Sequence, residues 1–306
     1  MSRSGELPLE LTDGAFHVAE ARHLGLPPGR VRRGDLARPF YGVRQAGSAP
    51  ESTRDRCHAY LARMPNGRVF SHATAAILHG MPLPGWLERD RRLHVTVPAG
   101  LRPPQCTGIV GHELRRELRD VEFTDLLPVT APLQTWLDLG PVLKRNDLVA
   151  VADFLCAGKH PRYQPSELVA AAERVPGRRG VRALREAASL ARARVDSPKE
   201  TETRLLILDA GLPEPVVGFE VLGVNLPFNP HVDLSWPAFK VCAEYEGEEH
   251  RTDRRRFRSD ITRRERLEDV KWRVIRVTDD DLQNGGLELI QRIHNALVER
   301  GWDPTS

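Results

Sequence analysis

The sequence predicts a mixed α/β protein in three parts: a small basic helical unit, an α+β middle, and a C-terminal α/β/α layer around a four-stranded mixed sheet. Three observations predict it. The last third reads, in order, helix, three strands, helix, strand. Three strands in antiparallel sequence, then a crossover helix and a fourth strand, make such a layer. The first fifty residues read helix, turn, helix, strand, with arginines gathered towards the end, and the region between alternates strands with apolar helices. The expected boundaries are 1–50, 51–195 and 196–306.

At the start, "AFHVAEARHLG" places Phe16, Ala19 and His23 at helical spacing, with Gly25 as a stop. "LPPGRVRRGDL" predicts a second short helix bearing Arg30, Arg32 and Arg33. "ARPFYGVRQ" predicts a short strand or wing bearing Arg38 and Arg44. From residue 22 to 44, six Arg stand against one acid, Asp35. A compact unit with its charge on the second helix and wing suits docking into a DNA major groove.

In the middle, "SHATAAILHG" predicts a helix from Ser71 ended by Gly80, and "RRLHVTVPAG" and "GIVGHEL" predict strands. "APLQTWLDLGPVLKRNDLVAVADFLCAG" predicts two helices interrupted near Gly140-Pro141. His58, His72, His79, His94 and His112 show no i, i+4 ligand pair with an acid between, so no metal site is expected of them, and His72 and His79, seven apart on one apolar helix, are expected in core or cap roles. "VRALREAASLARAR" places Val181, Leu184, Ala188 and Ala191 on one stripe of a connecting helix.

The last third opens on "SPKE", a capping-box pattern with Pro at the first helical position and Glu200 reaching back to a free backbone N–H. "HVDLSW" and "KVCAEYEG" both alternate apolar and polar residues, the pattern of half-buried strands. A four-residue turn at 237–240 pairs Trp236 with Val241, Leu234 with Ala243 and Val232 with Tyr245. Asp233 then lies opposite Glu244, with Glu246 further along the same face. Opposed like charges destabilise a sheet unless a proton, a ring of Arg or a divalent cation neutralises them. An all-oxygen group of this density suits a hard cation such as Mg²⁺. From Arg251 to Arg276 eleven Lys/Arg stand against five Asp/Glu. An acidic group beside a basic helix suits a phosphodiester with its metal.

Ser197 to about Leu282 resembles the PD-(D/E)xK nuclease superfamily, in particular the endonuclease-like domains related to very-short-patch-repair enzymes. The pieces that carry the resemblance are "SPKET", "VDLSWP", "AEYEGEEH", the spacing of Asp260, Arg263 and Leu267, and "WRVIRVT". It implies a restriction-endonuclease-like fold in which Asp233 and Glu244 hold Mg²⁺ or Mn²⁺, and Glu200 is the helix acid that some members add. The position usually occupied by Lys is Glu246 here. Glu246 and His250 are the expected proton acceptors, and Arg254, Arg255, Arg258 and Arg263 the expected phosphate ligands. The first fifty residues are similar to the winged-helix domain that opens AbiEi-type antitoxins. The middle is similar to the segment that commonly follows it. The implied activity is DNA endonuclease, with DNA as partner. The alternative is a non-catalytic DNA-binding regulator of the AbiEi type with a degenerate nuclease fold.

The remaining composition narrows the classes. Hydrophobic content of 40% and charged content of 28% describe a globular protein, and the net charge of +3 makes any basic footprint local. The four cysteines form no CxxC pair, so a structural zinc or a disulfide framework is not expected. No apolar run reaches a membrane-spanning length and the N-terminus lacks a signal-peptide core. A cytoplasmic protein with no membrane partner is expected, and a homodimer is compatible with the chain.

Overall fold

The computed structural model describes residues 6–114, 120–222, 229–246 and 263–305. The chain forms two compact units, Met1–Val142 and Leu143–Ser306. Both mix helices and sheet. Among the described residues no helix is long and apolar enough to cross a membrane.

The first unit opens with β1 (Ala15–His17), α1 (Val18–His23), β2 (Leu36–Ala37) and β3 (Val43–Ala46). The strands form a sheet of order β1-β3-β2, antiparallel throughout. Phe16 was expected on a helix. It lies in β1 across from Arg44 and is buried with Leu11, Ala21, Leu26, Val31 and Leu36. The expected second helix is only a 3-10 turn, Arg30–Arg32. Pro27 and Pro28 ahead of it remove two backbone donors, and Gly29 adds chain entropy, so a longer helix has poor support.

The same unit continues through α2 (Thr53–Leu61), β4 (Val69–Phe70), α3 (His72–Leu78), α4 (Gly85–Glu88), β5 (Leu93–Val97), β6 (Ile109–Glu113), β7 (Val121–Thr124), β8 (Leu127–Thr130) and α5 (Pro132–Leu139). The five strands form a sheet of order β6-β5-β4-β8-β7. Its core gathers Tyr60, Phe70, Leu93, Val95 and Val129, and also takes Phe40 of the β2–β3 loop and Val43 of β3. Phe40 meets Tyr60 edge-to-face at 5.1 Å, a favoured aromatic geometry. Ser71 and Gly80 bound α3 as the sequence predicts.

The second unit begins with α6 (Arg145–Leu155), α7 (Pro165–Glu173), α8 (Val181–Leu190) and α9 (Pro198–Asp209). A sheet of order β12-β11-β10-β9 follows, from β9 (Val216–Glu220), β10 (His231–Trp236), β11 (Val241–Tyr245) and β12 (Arg273–Val277). β10 pairs antiparallel with both β9 and β11, and β11 and β12 are parallel. The parallel step needs a crossover. Residues 263–269 form a helix ahead of β12, α10. α11 (Asp279–Leu282) and α12 (Leu287–Glu299) close the chain. One core joins Leu234, Ala243 and Ile275 to Ile207 of α9 and to Leu289, Ile293 and Leu297 of α12. The other joins Val232 and Cys242 to Leu267 of α10 and to Trp272. Helices therefore cover both faces of a four-stranded mixed sheet. Asp153 on α6 anchors α9 from below: Arg204 pairs with it at 2.7 Å and Thr201 donates to it at 2.8 Å, all buried.

Candidate functional site

The β10–β11 hairpin sets two of the expected carboxylates. Pro237–Phe239 form a 3-10 turn and Lys240 closes it at φ 51. The register is Trp236↔Val241, Ser235↔Cys242 and Leu234↔Ala243, as the alternation predicts. The described ladder ends there. The Asp233 carboxylate accepts a hydrogen bond from the Tyr245 backbone N–H at 2.9 Å, taking the place of a backbone acceptor.

The strict alternation expected for β10 fails at the same point. Val232 packs with Cys242 and Leu267, whereas Leu234 packs with Ala243, so Val232 is not the partner of Tyr245. The register Val232↔Phe219 and Leu234↔Val217 leaves Gly218 across from Asp233, and Gly218 has φ +57. The break in alternation thus lies beside a backbone conformation that glycine adopts freely. A Cβ at Gly218 would also meet Arg194 Cβ at 3.0 Å.

Glu200 comes from the first turn of α9. Ser197 accepts from the Glu200 N–H, and Glu200 reaches past the cap to accept from the Asp196 N–H at 3.0 Å. It is 7% exposed. Burial pushes its carboxyl up to about 7, and the charge of Asp233 pushes the same way. Glu244 is 8% exposed. Burial also pushes it up to about 7; Arg263, 2.6 Å away, opposes the shift and Asp233 adds to it. Asp233 thus acts electrostatically on both neighbours, and α9, β10 and β11 bring three carboxylates into one field.

Glu246 has a different environment. Arg264 and Arg276 both pair with it. Burial works to raise its carboxyl, but the hydrogen bonds from Arg276 and Arg264 outweigh burial and hold it below the ordinary range. Arg263, expected on phosphate, instead bridges Glu244 and the His231 carbonyl. His250, Arg254, Arg255 and Arg258 lie outside the described residues.

These shifts set a pH dependence. Glu200 and Glu244 titrate near 7 when folded against 4.5 ordinarily, so the folded chain retains protons that the unfolded chain has released. Their contribution to stability is complete below about pH 4.5 and is lost as pH rises through about 7. It is on the order of 1–3 kcal/mol per group. Thermal melts in EDTA should show Tm falling across that window, and Glu200→Gln should flatten the fall. An unchanged slope in Glu200→Gln would remove Glu200 from the account.

The basic N-terminal residues divide into two groups. Arg30 is 6% exposed and pairs with Asp35 at 2.9 Å. Arg44 donates to the carbonyls of Val31 and Val43, bracing the 3-10 turn against β3. Arg30 is turned into the protein, and Arg44, partly buried, braces the turn through its carbonyl contacts. Arg32, Arg33 and Arg38 are exposed, and beside them Tyr41 is 86% exposed in the β2–β3 loop.

One group escaped the sequence reading. His79 is a satisfied core histidine, bonded to the Thr130 carbonyl at 2.8 Å. His72, His94 and His112, by contrast, come together, their ligand-capable atoms all within 4.8 Å of one another. The available signal was parity: His94 and Thr96 share one face of β5, as Val110 and His112 share one face of β6. The register joining those faces had no signal in the sequence.

Two proteins of Mycobacterium tuberculosis are similar to this chain, the uncharacterized protein MT2308 of strain CDC 1551 and the uncharacterized protein Rv2248 of strain H37Rv. Each is 30% identical to it over 268 residues, covering 88% of this chain and 94% of the relative. No family model and no solved structure matches the chain.

Proposed function

Since the chain belongs to the family of these two mycobacterial proteins, whose names assign no activity, we propose a function from the site: a metal-dependent DNA endonuclease. The observation that carries the reading is that Glu200 and Glu244, both buried and pushed to about 7, each feel the charge of Asp233. Carboxyls raised chiefly by burial, with a further carboxylate charge acting on them, are a usual mark of a functional site, and a cation relieves the repulsion from Asp233.

The residues fit a hard divalent cation, Mg²⁺ or Mn²⁺, at Asp233 and Glu244. Both offer carboxylate oxygen, and Glu244 is buried against the charge of Asp233. The ion supplies Lewis-acid stabilisation of the charge that develops on the phosphoryl group. Glu200, titrating near 7, is suited to take a proton from the attacking water. Arg263 holds Glu244 against the start of β10. Glu246 braces the end of β11 to α10 and β12 through Arg264 and Arg276 rather than serving as a base. Incubation of supercoiled and linear DNA with the purified chain tests the activity: cleavage in Mg²⁺ or Mn²⁺, none in EDTA.

The first unit fits a DNA-binding role of winged-helix type. Its support is the antiparallel sheet order β1-β3-β2, with helix, turn and loop between the strands, and the exposed Arg32, Arg33, Arg38 and Tyr41. Replacing Arg32, Arg33 and Arg38 together by Ala should weaken duplex binding regardless of sequence. For every arginine that pairs with a phosphate, its removal should flatten the plot of log K against log salt by about 0.9. An unchanged slope in titrations at several salt concentrations would return this surface to a structural role.

A second reading, a DNA-binding regulator with a lapsed nuclease fold, is favoured by the arginines already on Glu244 and Glu246. It predicts DNA binding with neither cleavage nor a metal effect.

A further inference from the structure

We propose that His72, His94 and His112 form a site for a transition-metal dication of the zinc type in the first unit, separate from the carboxylate group. His94 lies on β5 and His112 on β6, two parallel strands in the register His94↔Val110 and Thr96↔His112, which turns both rings to one face. His72 is the first residue of α3 and stacks on His112 with ring centroids 3.6 Å apart. His94 Nδ1 and His112 Nε2 face each other at 2.9 Å.

Three polar rings gathered in this way leave acceptor capacity unused. One of the two facing nitrogens must carry the proton that the other accepts, and the buried Nε2 of His94 has no hydrogen-bond partner. A cation replaces that shared proton and takes both lone pairs.

The surroundings resemble the support that metal-bound imidazoles need. His72 Nδ1 lies 3.0 Å from Ser71 Oγ and 3.8 Å from the Asp138 carboxylate. Thr96 donates to Ser71 at 2.7 Å, and Gln134 donates to Asp138 at 2.7 Å. A carboxylate behind a ligating imidazole fixes its tautomer and raises its basicity. His72 adopts φ 50, an uncommon conformation for a non-glycine residue, and such residues concentrate at sites where geometry is imposed. Three imidazoles select zinc, copper, nickel or iron over magnesium, and they leave a fourth position open for a water or substrate atom.

The test uses the full-length chain, stripped with chelator and titrated with Co²⁺. A single Co²⁺ per chain should bind with visible ligand-field bands, and Zn²⁺ should displace it. The imidazole Cε1–H resonances of His72, His94 and His112 should shift in the wild-type protein, which locates the ion without a substitution. His72→Asn, His94→Asn and His112→Asn should each abolish the bands, and Asp138→Asn should weaken binding by about 10–100-fold. His58→Asn, at an exposed position on α2, should change nothing. Asp233→Asn should keep the bands, so failure of the carboxylate reading and failure of this one are distinguishable. The proposal is overturned if the folded wild-type chain binds neither Co²⁺ nor Zn²⁺, or if the shifted resonances belong to other histidines.

Discussion

Asp233→Asn is expected to lower Mg²⁺-dependent DNA cleavage by several orders of magnitude while leaving duplex binding nearly intact. The substitution keeps the shape of the side chain. Its amide oxygen still accepts the Tyr245 N–H bond that Asp233 makes at 2.9 Å, so the end of the hairpin is preserved. What goes is one of two charges proposed to hold the cation, and metal stabilisation of developing phosphoryl charge is worth several kcal/mol. In EDTA the variant should be at least as stable as wild type, because Glu200 and Glu244 lose a repulsive neighbour. Single-turnover plasmid nicking and thermal melts read the two effects. Cleavage retained at the wild-type rate would remove Asp233 from the chemistry.

The second large effect is on stability. Asp153→Ala should destabilise the second unit by about 3–5 kcal/mol, because it leaves the fully buried Arg204 guanidinium without its counter-charge. It also strips acceptors from Thr201 and from the Arg192 backbone N–H. Joint replacement by Asp153→Leu and Arg204→Met should recover most of that loss, since apolar groups of similar volume carry no desolvation penalty. Urea unfolding followed by circular dichroism measures both. A loss below about 1 kcal/mol in Asp153→Ala would mean that water reaches Arg204. The consequence for the site is direct, since α9 carries both Thr201 and Arg204 and the Glu200 carboxyl.

The strand pattern around the carboxylates was legible because side chains alternate with period two and Pro237 marks the turn. Those facts alone set Leu234 against Ala243 and Trp236 against Val241. The face of Val232 was not legible, because the alternation of β10 breaks beside Gly218, whose positive φ no period-two pattern predicts. Nor was the division of the arginines. Arg30 and Arg32 are two residues apart in one basic run, yet Arg30 is buried on Asp35 while Arg32 faces solvent. Composition reports charge but not its direction. The short 3-10 turn at Arg30–Arg32 likewise follows from the local Pro-Pro-Gly run, a signal present in the sequence and outweighed there by the arginine pattern. The histidine cluster depends on the β5–β6 register, which is set by a crossover with no periodic pattern of its own.

The central claim is that the second unit holds a hard divalent cation at Asp233 and Glu244. Calorimetric titration of the full-length chain with Mg²⁺ addresses it most directly, because magnesium avoids imidazole ligands and so does not report on the histidines. The account predicts binding of one ion, tightening as pH rises through about 7, where Glu244 releases its proton, and lost in Asp233→Asn. No Mg²⁺ binding at any pH between about 6 and 9, or equal binding by wild type and Asp233→Asn, would contradict it and leave the arginine-neutralised regulator as the reading of this fold.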